Sequence, residues 1–579
     1  MSQEPDAAHL SGGRSVLGHA LKRVRSLAPR RADYAQMRVA PRKDLMAGIT
    51  VGVVALPLAL GFGISSGLGA GAGLITAIIA GTLAALFGGS NVQVSGPTGA
   101  MTVVLVPIVA VYGTNGVLVV GLMAGVLLIG MAFAGVGRYV RFIPLPVIEG
   151  FTLGIAVIIG LQQVPAALGV TVEGQHVAGV AAGAVADWAA SPDWPAATVT
   201  FVVVALILGV VRLRPAVPIA LIAVIAATAA TALFDLPLAA IGALPSHIPA
   251  PALPDFAWTD IRTLAVPALA VAALAALESL LSATVADAMS VSDRHDPDRE
   301  LFGQGIANIA SPLFGGIPAT AAIARTAVNV RSGAASRLAA LVHALVLLVI
   351  VLALADAVGK IPLAALAGVL IATAIRMVEV SSVRVLLRSS RSDTAVVVVT
   401  FVATVALDLA TAVILGIVAA GALALRQMAK TATLQEVPLE TLSNPAADHH
   451  SDEERALLDA HVVAYRFEGP LFFGGAHMAL LELTEVSDIR VVILRLSHVT
   501  TLDATGAAVL ADTIRSLERR DVAVLMSGLP ARFIAALAAN GAYAELAERG
   551  HVFDHTPEAI AHARRHVTRD QHHAPNSAS

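Results

Sequence analysis

Leu86-Phe87-Gly88-Gly89-Ser90-Asn91-Val92-Gln93-Val94-Ser95-Gly96-Pro97-Thr98-Gly99-Ala100 and, 227 residues later, Leu313-Phe314-Gly315-Gly316-Ile317-Pro318-Ala319-Thr320-Ala321-Ala322-Ile323-Ala324-Arg325 read as two versions of one passage. Each closes an apolar segment with the same four residues, crosses a short run of helix breakers, and restarts an apolar stretch with a proline suited to a first helical turn. Each is therefore expected to be an interrupted membrane helix. A helix that starts inside a membrane leaves its first N–H groups unpaired, and these, with the helix dipole, form a partial positive pole suited to an anion. Such breaks are tolerated only where they line a cavity or are buried in protein, and a pair of them in corresponding halves points to a binding site at the membrane midplane.

The composition agrees. Of 579 residues, 56% are hydrophobic and 14% charged, with a mean hydropathy of +0.78. That charge is too little to cover a soluble surface, so a membrane protein is expected. Residues 50 to 137 carry no Lys, Arg, Asp or Glu, while both ends of the chain are charged. With no cysteine there is neither a disulfide nor a thiolate metal site. The first 43 residues are polar and contain Arg14, Lys22, Arg23, Arg25, Arg30, Arg31, Arg38, Arg42 and Lys43. They are too long and too arginine-rich for a signal peptide, and the positive charge places them in the cytoplasm.

Residues 44–430 divide into fourteen apolar segments: 44–66, 70–87, 95–110, 116–135, 143–163, 174–211 (a broken or amphipathic piece plus one span), 216–235, 261–288, 300–313, 318–331, 335–357, 361–381, 393–408 and 410–428. With the N-terminus inside, the cytoplasmic turns receive Arg138 and Arg141, Arg212 and Arg214, Arg294 and Arg299, Arg331 and Arg337, Arg384, Arg388 and Arg391, then Arg426 and Lys430. The outer loops 164–173 and 236–259 carry no Lys or Arg, the bias expected of a correctly counted topology. A second echo, Ile143-Pro144-Leu145-Pro146-Val147-Ile148-Glu149-Gly150 and Ile361-Pro362-Leu363-Ala364-Ala365-Leu366-Ala367-Gly368, recurs at an offset of 218 residues. Two landmarks at nearly one offset argue for a duplicated unit. Seven spans is an odd number, so the second copy must be inverted, and the two half-helices then point their N-termini at each other.

Past Lys430 the pattern changes. Residues 431–455 read as a linker with Asn444-Pro445, and an α/β domain follows. Its expected elements are strands at His461–Phe467, Val491–Leu496 and Val522–Met526, and helices near 475–484, at Ala504–Arg519, at Ala531–Ala539 and near 557–564. The last fourteen residues, 566–579, are expected to be a disordered tail.

Within the spans few residues can carry chemistry. Ser95, Thr98 and Thr102 offer hydroxyls beside the N–H groups of Gly99 and Ala100. Arg325 is a permanent cation about two turns into the second half-helix, either facing an anion or paired with an acid. Glu278 lies deep in an apolar span, where a carboxyl can take up and release a proton during a cycle, and Ser282 shares its face one turn on. A fixed salt bridge from Glu278 to Arg325 is the alternative. Asp287 reads as an interfacial cap, and Glu149 suits gating or packing as well as it suits substrate handling. Phe62, Phe87 and Phe314 can wall a small cavity. Aromatic scarcity argues against a sugar or quaternary-amine site. No zinc-ligand spacing, phosphate-binding glycine loop or nucleophile motif stands out, so no enzyme, cofactor, metal centre or nucleic-acid partner is expected. His343 reads as a packed histidine.

The passage Val94–Ala100, the segment Glu278-Ser279-Leu280-Leu281-Ser282, and the run from Gly315 to Gly333 together resemble the sulfate permease (SulP) family of anion transporters, and residues from about 434 to 565 resemble its STAS domain. The resemblance implies a polytopic α-helical membrane protein, a 7+7 inverted-repeat transporter with fourteen transmembrane segments, followed by a small cytoplasmic α/β STAS domain at 456–565. It implies a core of segments 1–4 and 8–11 moving against a gate of segments 5–7 and 12–14, a homodimer in the bacterial cytoplasmic membrane with both termini cytoplasmic, and a small inorganic or carboxylate anion held between the half-helices. Matched onto this chain, Thr98, Gly99, Ala100, Met101, Ala319, Thr320, Ala321, Ala322 and Ala324 occupy substrate positions beside Ser95 and Phe62. Arg325 falls where many members carry positive charge. Glu278 falls where some bicarbonate-carrying relatives use an acid to bind sodium. Leu58 departs from the glutamine common in sulfate-type members. With Glu278 and Arg325, Pro57-Leu58-Ala59 is closer to a bacterial branch that includes a proton-coupled C4-dicarboxylate carrier. An anion channel or an anion-sensing receptor are the competing readings. In Asp503-Ala504-Thr505-Gly506, Thr505 aligns with the hydroxyl phosphorylated in anti-sigma antagonists, or else caps its helix, and the STAS domain is a docking place for a cytoplasmic partner.

Overall fold

The computed structural model describes residues 26–571 except 173, 175, 214–217, 256–257, 291–293, 408, 432, 438–459 and 473–488. Arg214, the helix expected near 475–484, most of the linker and the end of the tail therefore lie outside the described residues. Two compact units are present, Met1–Val418 and Ala419–Ser579.

In the first unit, every expected apolar segment up to 393–408 has a helical counterpart. They are α1 (Pro41–Ser65), α2 (Ala70–Phe87), α3 (Gly99–Ala134), α4 (Leu145–Gln162), the short α5 (Val164–Leu168), α6 (Val177–Ala190), α7 (Trp194–Leu213), α8 (Ile219–Leu233), α9 (Trp258–Met289), α10 (Pro297–Leu313), α11 (Ile323–Arg331), α12 (Leu338–Gly359), α13 (Leu363–Met377), α14 (Val380–Ser389) and α15 (Arg391–Ala406). The last span, α16 (Leu409–Lys430), crosses the boundary between the units. Among the described residues nine helices are long and apolar enough to cross a membrane. Segments 95–110 and 116–135 are the two halves of α3, separated at Gly113, whose φ of 68° breaks the helix. Segment 174–211 resolves into α6 and α7.

The helices pack in two groups: α1, α2, α3, α9, α10, α11 and α12 against one another, and α4, α7, α13 and α15 likewise. Small residues let backbones meet where helices cross. A Cβ on Gly73 would lie 2.0 Å from the Ala59 carbonyl oxygen, and one on Gly125 would lie 2.7 Å from that of Gly305.

The two breaks pair with each other. Ser95–Gly96 (β1) and Thr320–Ala321 (β2) form an antiparallel ribbon with Ser95 opposite Ala321 and Gly96 opposite Thr320, and the Ala322 N–H adds a bond to the Val94 carbonyl at 3.0 Å. At the 227-residue offset Val94 corresponds to Ala321 and Ser95 to Ala322, and these four residues pair crosswise. The pseudo-two-fold axis of the repeat thus runs through the ribbon. This pairing also corrects the expected helix starts. Neither proline opens a helix: Pro97 precedes the N-cap Thr98, and Pro318 lies five residues before Ile323. Proline's preference for a first turn is weaker than a ladder that holds the following residues extended.

Irregular backbone at this depth needs partners, and each break draws some from the other repeat. Glu300 of α10 accepts from the N–H groups of Gly89 and Ser90 at 2.9 and 3.3 Å. Thr76 of α2 accepts from Ile317 N–H at 2.7 Å. Asn308 both donates to and accepts from Ala319 at 2.8 Å. Leaving one such buried group unmet costs about 1–3 kcal/mol.

In the second unit a five-stranded sheet runs in the order β3-β4-β5-β6-β7 (Thr433–Glu436, Val462–Leu471, Val491–Leu502, Ala523–Ser527, Val552–Phe553), with the first pair antiparallel and the rest parallel. Among the described residues, helices α17 (Ala504–Glu518), α18 (Ala531–Ala538), α19 (Ala542–Glu548) and α20 (Thr556–Gln571) accompany it. Strand β3 falls inside the stretch expected as linker, α20 runs into the stretch expected as tail, and β7 and α19 are further additions. β3 and β7 are edge strands of four and two residues, too short to show a period-two pattern.

Candidate functional site

The starts of α3 and α11 flank the ribbon, and α9 closes the third side. Thr98 caps α3, its hydroxyl accepting from the Met101 N–H at 3.3 Å, which leaves the N–H groups of Gly99 and Ala100 without intrahelical partners. The same hydroxyl donates to Glu278 Oε2 at 2.8 Å. A hydroxyl can also accept from a protonated carboxyl, so this contact survives either state of Glu278. Phe62 of α1 and Ile159 of α4 close over this helix start. A Cβ on Gly99 would meet Ile159 Cδ1 at 2.2 Å and Phe62 Cε1 at 3.2 Å.

The second start differs. Ala322, its N-cap, has no side-chain acceptor to offer. Ile323 and Ala324 at its first turn are exposed, whereas Ala319, Thr320 and Ala321 are buried. Arg325 is 1% exposed and turns back across the ribbon, Nη2 donating to the Pro97 carbonyl at 2.7 Å. Its Nη1 lies 2.7 Å from where a Cβ on Gly96 would sit, and Gly96 has a φ of 152°. Both the space and the dihedral require glycine there. Among the described residues no ion pair joins Arg325 to Glu278, so the fixed salt bridge weighed from the sequence is not formed. Nη1 has no hydrogen-bond partner.

Four expected residues take other places. Ser282 does not join Glu278; its hydroxyl donates to Thr326 Oγ1 at 3.1 Å, and Thr326 in turn accepts from Val94 N–H at 3.1 Å. Ser95 is engaged by Gln304 Nε2 at 2.7 Å, on the α10 side of the ribbon. The Thr102 hydroxyl bonds back to the Gly99 carbonyl at 2.7 Å. Asp503, not Thr505, caps α17, accepting from Gly506 N–H at 2.7 Å, and Thr505 is exposed beside it. Asp287 accepts from His295 at 2.7 Å and so holds the loop after α9. His343 is fully buried behind α2, with both ring nitrogens unpartnered.

Ser279 and Ile159 went unassigned in the sequence. Ser279 Oγ lies 2.9 Å from Thr320 Oγ1 and accepts from Ala321 N–H at 3.2 Å, while its carbonyl takes Gln93 Nε2 at 2.7 Å. The spacing Ser279 to Ser282 places both hydroxyls on the ribbon side of α9, and that was the available signal. Ile159 gave none, since its role depends on a packing between segments far apart in the chain.

Comparisons with known proteins agree with this architecture. The sequence matches the Sulfate permease family over residues 42–400 and the STAS domain over residues 456–559. YvdB of Bacillus subtilis (strain 168), whose assignment as a sulfate transporter is itself provisional, is 36% identical over 531 residues, covering 89% of this chain and 97% of its own. The bicarbonate transporter BicA of a Picosynechococcus strain is 30% identical over 525 residues, covering 84% and 88%. The solved transmembrane domain of a cyanobacterial BicA superposes with a TM-score of 0.58 at 32% identity, over 66% of this chain and 97% of that one. The structure of SLC26A9 shares the fold over 99% of this chain and 98% of its own, with a TM-score of 0.79 at 16% identity. The chain therefore belongs to the sulfate permease family: it is a multi-pass membrane anion transporter with a C-terminal STAS domain, and not an enzyme.

Proposed function

We propose that this chain is a secondary active transporter that takes up a small carboxylate or C4-dicarboxylate together with a proton, by alternating access. The observation that carries the reading is the contact between Thr98 at the start of α3 and Glu278 on α9. It puts a protonatable carboxyl one hydrogen bond from a positive helix start, so proton and anion can bind as a unit. In this reading Gly99 and Ala100 on one side and Ala324 on the other supply N–H groups to the anion, while Met101 and Ala322, whose N–H groups are held by Thr98 and Val94, line the site. Phe62 and Leu58 give the site an apolar wall suited to a carbon skeleton. Arg325 provides the field that holds the charge.

The two packing groups would act as core and gate, with Ile159 the gate residue over the site. The working unit would be a homodimer in the bacterial cytoplasmic membrane with both termini inside, and Thr505 a phosphorylation site through which a cytoplasmic partner reads the STAS domain. The second reading is sodium- or proton-coupled bicarbonate transport, favoured by the 30% identity to BicA; sulfate stands behind it because of Leu58.

Radiolabelled uptake into proteoliposomes tests these readings, comparing succinate, fumarate, bicarbonate and sulfate with and without a proton or sodium gradient. Succinate accumulation driven by an inward proton gradient is expected. Accumulation of bicarbonate alone under a sodium gradient would replace this reading with the second. Steady single-channel currents would exclude a carrier.

A further inference from the structure

We propose that His551, His562 and His566 form a binding site for one zinc-class divalent cation in the second unit. His551 opens the approach to β7, directly after Gly550, whose φ of 69° turns the chain. His562 and His566 stand one turn apart on α20 and so share a face. The three rings meet pairwise with centroids 5.4, 5.3 and 5.0 Å apart. One ligand nitrogen from each lies within 4.8 Å of the other two. Bonds of about 2.0–2.1 Å in a tetrahedral shell need nitrogens roughly 3.4 Å apart, which modest ring rotations supply.

A second observation points to a ligand. His551 is only 9% exposed, and its Nδ1 is buried with no hydrogen-bond partner. A buried imidazole nitrogen is seldom left so. One contact favours a proton on His551, a hydrogen bond to the Val524 backbone, and the charged groups around the cluster oppose it. The charged neighbours are cationic: Arg549 lies near, and Arg565 Nη2 sits 3.0 Å from His562 Nδ1. Burial first, and then His566, His562 and Arg549, push His551 down to about 4, and His562 is lowered as well. Arg565 donates to Nδ1 of His562, which makes Nδ1 the lone-pair nitrogen of that ring, so a cation would take Nδ1 in place of this exposed guanidinium. The His551 carbonyl accepts from Met526 N–H at 2.8 Å, which fixes that ligand's backbone to β6.

Three imidazoles with no thiolate and no carboxylate suit Zn2+ and its late first-row neighbours, not Ca2+ or Mg2+, and leave a fourth position for water or an outside ligand. A cation there would clamp α20 onto the end of the sheet.

The test uses the full-length protein in detergent, stripped with chelator and dialysed against buffered free Zn2+, with bound metal measured by elemental analysis and the site's geometry read from the visible absorption of Co2+. One Zn2+ per chain is expected, together with a tetrahedral Co2+ spectrum. His562→Ala and His566→Ala, at half-exposed positions that leave the fold intact by circular dichroism, should each weaken binding at least about 100-fold. A variant with His572→Ala and His573→Ala, the histidines that follow in the sequence, should bind as wild type. Wild-type protein that holds no more Zn2+ than the His562→Ala and His566→Ala variants would overturn the proposal, and so would binding that disappears with His572 and His573.

Discussion

The two half-helix starts come from equivalent places in a repeated unit, yet they are built differently. The start of α3 is capped by a hydroxyl, carries an acid on that hydroxyl, and is covered by Phe62 and Ile159. The start of α11 has no side-chain cap, and its first turn faces open space. The charge is also exchanged between them, because Arg325 belongs to α11 but donates to Pro97 just before α3. By sequence Arg325 belongs to the second half-helix. The structure gives the first start both charged groups and leaves the second with backbone only. Equivalent backbones have thus been divided into a chemical half and an open half.

Breaking the exchange of charge should have the largest effect. Arg325→Ala removes the donor of a buried charge-assisted hydrogen bond to the Pro97 carbonyl, worth about 1.5–3 kcal/mol, and should reduce uptake roughly 10- to 150-fold while the protein still purifies as a folded species. Arg325→Lys, which keeps charge without the planar fork, should fall between. An unchanged KM in Arg325→Ala would separate Arg325 from the site.

The next effect should come from the acid. Glu278→Gln is expected to abolish accumulation driven by a pH gradient while retaining substrate exchange at equal pH within about tenfold. A preserved response to the gradient would remove Glu278 from coupling. A smaller change tests the cap itself. Thr98→Val should raise KM by roughly 2- to 30-fold, matching the 0.5–2 kcal/mol of a lost N-cap, and Thr98→Ser should restore it. The same pair of changes at Ala322, to serine and valine, should leave KM nearly constant if the second start works through backbone alone.

The smallest effect sharpens an assignment the structure revised. Ser282→Ala should leave KM and coupling as in wild type and lower the thermal unfolding midpoint by the equivalent of about 1 kcal/mol, because its hydroxyl holds Thr326. A change in ion coupling would return Ser282 to the transport site.

Much of this was legible in the sequence for physical reasons. The duplicated passage, the apolar spans and the arginine bias are local patterns, so the membrane helices and the two breaks could be read directly. Pairing between Ser95 and Ala321 could not. Nothing local marks two short extended stretches as partners across more than two hundred residues, and without that pairing Pro97 and Pro318 look like helix openers. Ser95 and Ser282 illustrate the same gap. Their types and positions suited ligand binding, but the buried side chains of Gln304 and Thr326 engage their hydroxyls. Glu278 and Thr98 were named separately, and only the packing of α9 beside α3 made them a pair.

The crosswise satisfaction of the two breaks bears on how the protein is made. A ribosome delivers the first half of the chain to the membrane well before Glu300, Gln304 or Thr320 has been synthesised, so the N–H groups of Gly89 and Ser90 and the strand edge at Ser95 and Gly96 have none of their final partners at that moment. Lipid cannot supply substitutes. The nascent first repeat is therefore an unfinished intermediate that must stay near water or the insertion machinery until its inverted copy arrives, and the same two-fold axis that relates the two breaks also sets the last step of assembly.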